Sequence, residues 1–131
     1  MSLRQYIYIS TALELQEDDI RSILESCMRH NKEKGVTGLL LYNGRNFLQL
    51  LEGEEADLKW VLDRIKLDAR HSGISTLEDE PCEQRACPDW LMRHIRLLDD
   101  VEDRRKRLDE QLPEVLNPRL RRIILNFASL N

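Results

Sequence analysis

Two periods of apolar residues alternate along this chain, and each change of period marks an element. Over residues 5–10 side chains alternate, Tyr6, Tyr8 and Ser10 on one side and Ile7 and Ile9 on the other, which predicts a short strand. The next segment, QEDDIRSILESCMRHNKEKG, brings Ile20, Ile23, Leu24, Cys27 and Met28 to one face at three-and-four spacing, which predicts an amphipathic helix. Glu17, Asp18 and Asp19 load its first turn with acid, His30, Lys32 and Lys34 load its end with base, and Gly35 can stop it. VTGLLLY and RNFLQLLEG then flank Asn43-Gly44, a strong hairpin signal. A second helix follows over residues 54–67, with Leu58, Val61, Leu62 and Ile65 on one face, and Asp68-Ala69-Arg70-His71-Ser72-Gly73 breaks it. Residues 74–77 predict a strand and 81–88 a loop. A last strand over 90–98 places Leu91, Ile95 and Leu97 on one side and Trp90, Met92 and His94 on the other.

The order β-α-β-β-α-β-β predicts an α+β, ferredoxin-like fold: an open sheet with two helices on one face and one strand added. The first and third strands should lie side by side at its centre. The tail differs in composition. Residues 100–111 are highly charged and helical in pattern, and Pro113 limits that helix. Asn117-Pro118 starts another, whose stripe is Leu120, Ile123, Ile124 and Phe127. Leu48 and Leu50 point to the sheet face that the first two helices leave bare, so the C-terminal helices are expected to cover it. The chain thus divides into a domain of residues 1–98 and a helical extension of 99–131.

Charge and cysteine content narrow the function. A formal net charge of −4 and a pI near 5.4 disfavour binding to a nucleic-acid backbone; Arg104-Arg105-Lys106-Arg107 is basic but surrounded by acid. No apolar run approaches the ~18 residues of a membrane span, and the chain enters its first strand without a signal-peptide core. Three cysteines, an odd number, fit a reducing cytoplasm. Cys82 and Cys87, spaced C-x4-C, make a poor zinc signature.

The catalytic inventory is thin. The sequence has no nucleophile elbow, no phosphate-cradling glycine loop and no H-E-x-x-H; Cys27 lies on an apolar helix stripe, where a core role outweighs a nucleophilic one. More informative is FLQLLEG, residues 47–53. Phe47, Gln49 and Leu51 share one strand face and Leu48 and Leu50 the other, so the amide of Gln49 enters a layer that should be dry. Tyr8, on the neighbouring strand, can meet it there if both point to the helix face. Asn31 ends the first helix near the same end of the sheet.

In order along the chain, IYIS, RHN-x5-TGLLLY, FLQLLEG, D-A-R-H and PDWLM resemble the motifs of the BLUF family of blue-light sensors. The resemblance covers residues 3–98. It implies FAD as cofactor, with the flavin ring between the first two helices. It aligns Tyr8 with the photoactive tyrosine, Gln49 with the glutamine bridging tyrosine and flavin, and Asn31 with a ring-binding asparagine. His30 precedes that asparagine. Arg64, Asp68 and His71 match a looser group near the ring and ribityl chain, and Trp90 and Met92 match the output element W-x-M. Two positions depart from the pattern: Cys87 stands where an aromatic usually precedes Pro-Asp-Trp, and Leu91 stands where a serine is common.

The resemblance implies a photoreceptor that is not an enzyme. Light drives electron and proton transfer from Tyr8 towards the flavin through Gln49, and the rearranged hydrogen bonds red-shift absorption. The change then passes through the last strand and C-terminal helices to a separate signalling protein. About thirty residues beyond the sensor region are too few for an effector domain, so a short stand-alone sensor is expected, cytoplasmic and self-associating as a dimer or larger. Two rivals share the topology. One is a flavin-free module that binds an effector or partner. The other is an acylphosphatase-like hydrolase, which needs a glycine- and arginine-rich first loop where this chain has Thr11-Ala12-Leu13-Glu14.

Overall fold

The computed structural model describes residues 2–12, 15–68, 72–90, 93–96 and 101–129. Strand β1 (Leu3–Thr11) leads to α1 (Glu17–Lys34), the hairpin β2 (Thr37–Tyr42) and β3 (Asn46–Glu54), and α2 (Glu55–Leu67). Then come β4 (Ser72–Pro81), β5 (Arg93–Arg96), α3 (Val101–Gln111) and α4 (Pro118–Ala128). The described strands form one sheet in the order β4-β1-β3-β2-β5. β5 runs parallel to β2, and the other neighbours are antiparallel. This is the expected ferredoxin-like arrangement with one added strand.

Local chemistry accounts for the element ends. Gln16 N–H bonds the Asp19 carboxylate at 3.0 Å to start α1, and Gly35 ends it in the left-handed region, φ 66°. The Asn43 side chain accepts from Arg45 N–H at 3.0 Å and Asn46 N–H at 2.8 Å, so the hairpin closes over residues 43–45. Asn117 caps α4 by accepting from Arg119 N–H at 2.8 Å, with Pro118 at the first helical position.

Strand alternation splits the core in two. Tyr6, Tyr8, Phe47 and Leu51 pack with Ile23 of α1 and with Leu58 and Val61 of α2. Ile7, Leu39, Leu41, Leu48 and Leu50 face the other way, against Leu108, Leu120, Ile124 and Phe127 of the tail. Each buried aliphatic contributes roughly 1.5–3 kcal/mol, so the tail helices are integral to folding. Gly38 is required where β2 pairs with β3, opposite Leu51: a Cβ there would stand 1.8 Å from the Leu50 carbonyl oxygen.

Two elements differ from expectation. β4 runs over Ser72–Pro81, beyond the expected 74–77, although its residues 78–80 are Glu-Asp-Glu. Pairing with β1 extends it, Arg4 bonds Asp79 at 2.9 Å, and Arg119 of α4 bonds both Glu78 and Glu80. Tertiary partners here override low strand propensity. Trp90 precedes β5, whose described span is Arg93–Arg96; the Trp90 carbonyl accepts from Gly38 N–H at 2.8 Å. Leu91, Met92 and residues 97–98 of the expected strand lie outside the described residues. No described helix is long and apolar enough to cross a membrane.

Candidate functional site between the first two helices

Tyr8 and Gln49 are paired residues of β1 and β3, both fully buried on the face that meets α1 and α2. The Tyr8 hydroxyl donates to Gln49 Oε1, and Gln49 Nε2 lies 3.9 Å from Cys27 Sγ on α1. Burial pushes the Tyr8 phenol well above its ordinary value of 10.0, and the acidic groups Cys27, Asp68 and Tyr6 add to that shift. Tyr8 is therefore a neutral phenol at any ordinary pH, held as a donor against an amide that can both donate and accept.

Above this pair, Ile23, Ser26, Cys27, His30, Val61, Arg64, Ile65 and Asp68 line a cleft of about 80 Å³ between α1 and α2. Asn31 stands four residues after Cys27 on α1 and is fully buried. The aliphatic walls suit the faces of a planar ring. The amides of Asn31 and Gln49, the Arg64 guanidinium and the Asp68 carboxylate suit a heterocycle edge with carbonyls and ring nitrogens. The donor set fits a flavin. The volume is below the roughly 300–1,000 Å³ of a small-molecule site, so seating three fused rings requires side chains of α1 and α2 to part. Exposed Arg64 can swing away readily.

A more open groove of about 370 Å³, lined by Arg4, Tyr6, Lys59, Lys66, Thr76 and Asp79 among others, holds none of the expected site residues. Of the expected residues, His30, Arg64 and Asp68 line the cleft, Tyr8 and Gln49 reach it through Cys27, and Asn31 is buried one turn further along α1 without being part of the lining. His71 and Met92 lie outside the described residues. Trp90 is not part of the cluster: half-buried, it packs against the core on the opposite sheet face, with the Arg93 guanidinium 4.7 Å from its ring.

Two features escaped the reading of the sequence. Trp60 stands between the helices, with Arg64 at 4.3 Å, Lys34 at 4.7 Å and His30 edge-on at 5.4 Å from its ring, so cations gather at the cleft mouth. An aromatic four residues before Arg64 on one helix face was the available signal. Glu52 is fully buried on the far sheet face, and strand alternation from Leu48 and Leu50 already pointed it there.

Comparison with known proteins agrees with this geometry. The sequence pattern of the BLUF family, sensors of blue light using FAD, matches residues 3–93. The photoactivated adenylate cyclase subunit beta of Euglena longa is 32% identical over 95 residues, 70% of this chain and 11% of that protein. The chain therefore spans about a tenth of that relative. The dark-state structure of the BLUF protein BlrB aligns with a TM-score of 0.75 and 32% identity, over 96% of this chain and 97% of BlrB. Klebsiella pneumoniae BlrP1, solved with FMN and cyclic diGMP, aligns with a TM-score of 0.83 and 27% identity, over 97% of this chain and 34% of BlrP1. The chain belongs to the BLUF family of blue-light sensors that use FAD.

Proposed function

We propose that this protein is a hydrogen-bond switch set by blue light, releasing no product, in which Tyr8 and Gln49 are the moving parts. The observation that carries this reading is the sealed Tyr8–Gln49 hydrogen bond beneath the α1–α2 cleft. FAD, when bound, supplies blue-light absorption and an electron-accepting excited state. Asn31, His30, Arg64, Asp68 and His71 hold it. On losing an electron, the Tyr8 phenol becomes a strong acid, and its proton has a path along the existing bond to Gln49 Oε1. The amide would relay that proton, Oε1 taking it up as Nε2 gives one towards the ring that took the electron, and would be left tautomerised, or rotated once a proton has returned to Tyr8. Either change exchanges the donor and acceptor that Gln49 presents to the cleft. Complete burial keeps the pair from exchanging with solvent in the meantime.

Residues 1–98 serve as sensor and 99–131 as output. Trp90, Met92 and β5 carry the change. Arg93 supports this route, since it packs on Trp90 and also bonds Gln111 of α3 at 3.0 Å. The output passes to a separate signalling protein in the cytoplasm, with self-association through the tail.

An absorption spectrum tests the reading. The purified protein should be yellow and its flavin bands should shift reversibly to the red under blue light. A colourless protein that does not take up FAD, or a yellow one without the shift, returns the reading to a flavin-free partner-binding module.

A further inference from the structure

Glu52 is the one fully buried carboxylate among the described residues, and the Tyr8–Gln49 switch does not use it. Its Oε2 accepts from Gln5 Nε2 at 2.6 Å and from Ala86 N–H at 2.7 Å, and its Oε1 accepts from Cys87 N–H at 2.7 Å. The same stretch is moored by Arg85, which bonds the Glu52 carbonyl at 3.0 Å and Thr37 Oγ1 at 2.9 Å. Cys87 O in turn accepts from Trp90 N–H at 3.3 Å, and Trp90 O accepts from Gly38 N–H. Thr37 and Glu52 are paired residues of β2 and β3. Every anchor of the connection from β4 to Trp90 named here therefore lies at one end of the central strands, two or three ladder positions from Gln49.

We propose that Glu52 is a positioning residue for the light response: its buried carboxylate holds the 82–90 connection, and so sets where Trp90 sits. This rests on the blue-light reading above. Three short bonds to one fully buried carboxyl group make a stiff link. A glutamine cannot reproduce it. Its NH2 must face at least one of the two backbone N–H groups, so one bond becomes a donor–donor contact. β3 then carries the switch amide on one face and the clamp on the other, and a shift of the strand at Gln49 reaches the Trp90 segment through Glu52.

The test uses the full chain loaded with FAD, in the wild type, Glu52→Gln, Trp90→Phe and the double variant. Glu52→Gln should keep the size of the light-induced shift, because Tyr8 and Gln49 are untouched. Its thermal return in the dark should change by about threefold or more, and the double variant should return at the Trp90→Phe rate. A change below about threefold, or one that multiplies independently with that of Trp90→Phe, overturns the proposal. If Glu52→Gln does not accumulate folded, Gln5→Leu removes only the Gln5 bond. It should change the return rate by at least about 1.5-fold, again only where Trp90 is present, and a smaller change overturns the proposal. Trp60→Phe leaves Trp90 as the single indole, and adding Glu52→Gln to that protein should change its emission even without flavin; identical spectra overturn the proposal. A wild type that takes up flavin without a red shift defeats the blue-light reading instead, while that emission still reports on the clamp.

Discussion

Replacing Gln49 by leucine separates the switch from the fold. Gln49 is fully buried between β1 and β2, so its loss is felt inside the core and nowhere at the surface. Two terms of opposite sign decide the stability. Tyr8 loses its acceptor at Gln49 Oε1, which costs about 1–3 kcal/mol for a buried hydroxyl. Leucine removes an amide whose burial itself cost about 1–3 kcal/mol, and it fills a similar volume beside Phe47 and Leu51. The net change should lie within about 2 kcal/mol of zero, against a total stability of about 5–15 kcal/mol. The variant should therefore fold and retain FAD, since the residues proposed to hold it are untouched, with an unfolding temperature within about 10 °C of wild type. Its flavin bands should no longer show the normal reversible red shift. The assay is a dark-minus-light difference spectrum recorded beside a thermal melt. A folded, yellow Gln49→Leu protein with the wild-type shift refutes the role of that amide, since no leucine atom can exchange donor for acceptor.

Gly38→Ala should lose more than about 3 kcal/mol in urea unfolding, because its Cβ meets the Leu50 carbonyl 1.8 Å away and neither backbone can yield without opening the β2–β3 ladder. A loss below about 1 kcal/mol means that the β2–β3 pair yields at this point. Burial pushes the Cys87 thiol from its ordinary 9.0 to about 12. Above pH 9 the unfolded chain releases this proton while the fold retains it, so stability must fall as pH rises from 9 towards 12. Between pH 8 and 9.5 wild type should lose at most about 0.8 kcal/mol more than Cys87→Ala in urea titrations, and equal losses would show that the thiol ionises freely.

The pair at the centre was legible because strand alternation is strict. With β1 and β3 neighbours and both side chains on the helix face, Tyr8 and Gln49 were expected to meet, and the register that pairs them is the one observed. The tail was legible too, since Leu48 and Leu50 demanded a cover and Leu120 and Ile124 supply one. β4 was read too short because its extension is stabilised by partners far along the chain, Arg4 and Arg119, which no local pattern shows. Trp90 was placed in the last strand by side-chain alternation, whereas it precedes that strand, with its carbonyl accepting from Gly38 N–H. Glu52 went unread for another reason: its burial depends on the backbone N–H groups of Ala86 and Cys87, more than thirty residues along the chain, which no local pattern shows.

That spacing has a mechanical consequence. An odd separation along a strand puts Gln49 and Glu52 on opposite faces, one towards the flavin cleft and the other towards the Trp90 connection. Between them β3 is buried from Phe47 through Gly53 and hydrogen-bonded on both sides, by β1 and β2. A strand so enclosed has little room to absorb a displacement by local bending, and close-packed interiors pass small shifts on. The two faces can then be altered separately. Substitutions facing α1 and α2 should change the absorption spectrum. Those facing α3 and α4 should leave the spectrum alone and change how long the lit state lasts or what it signals.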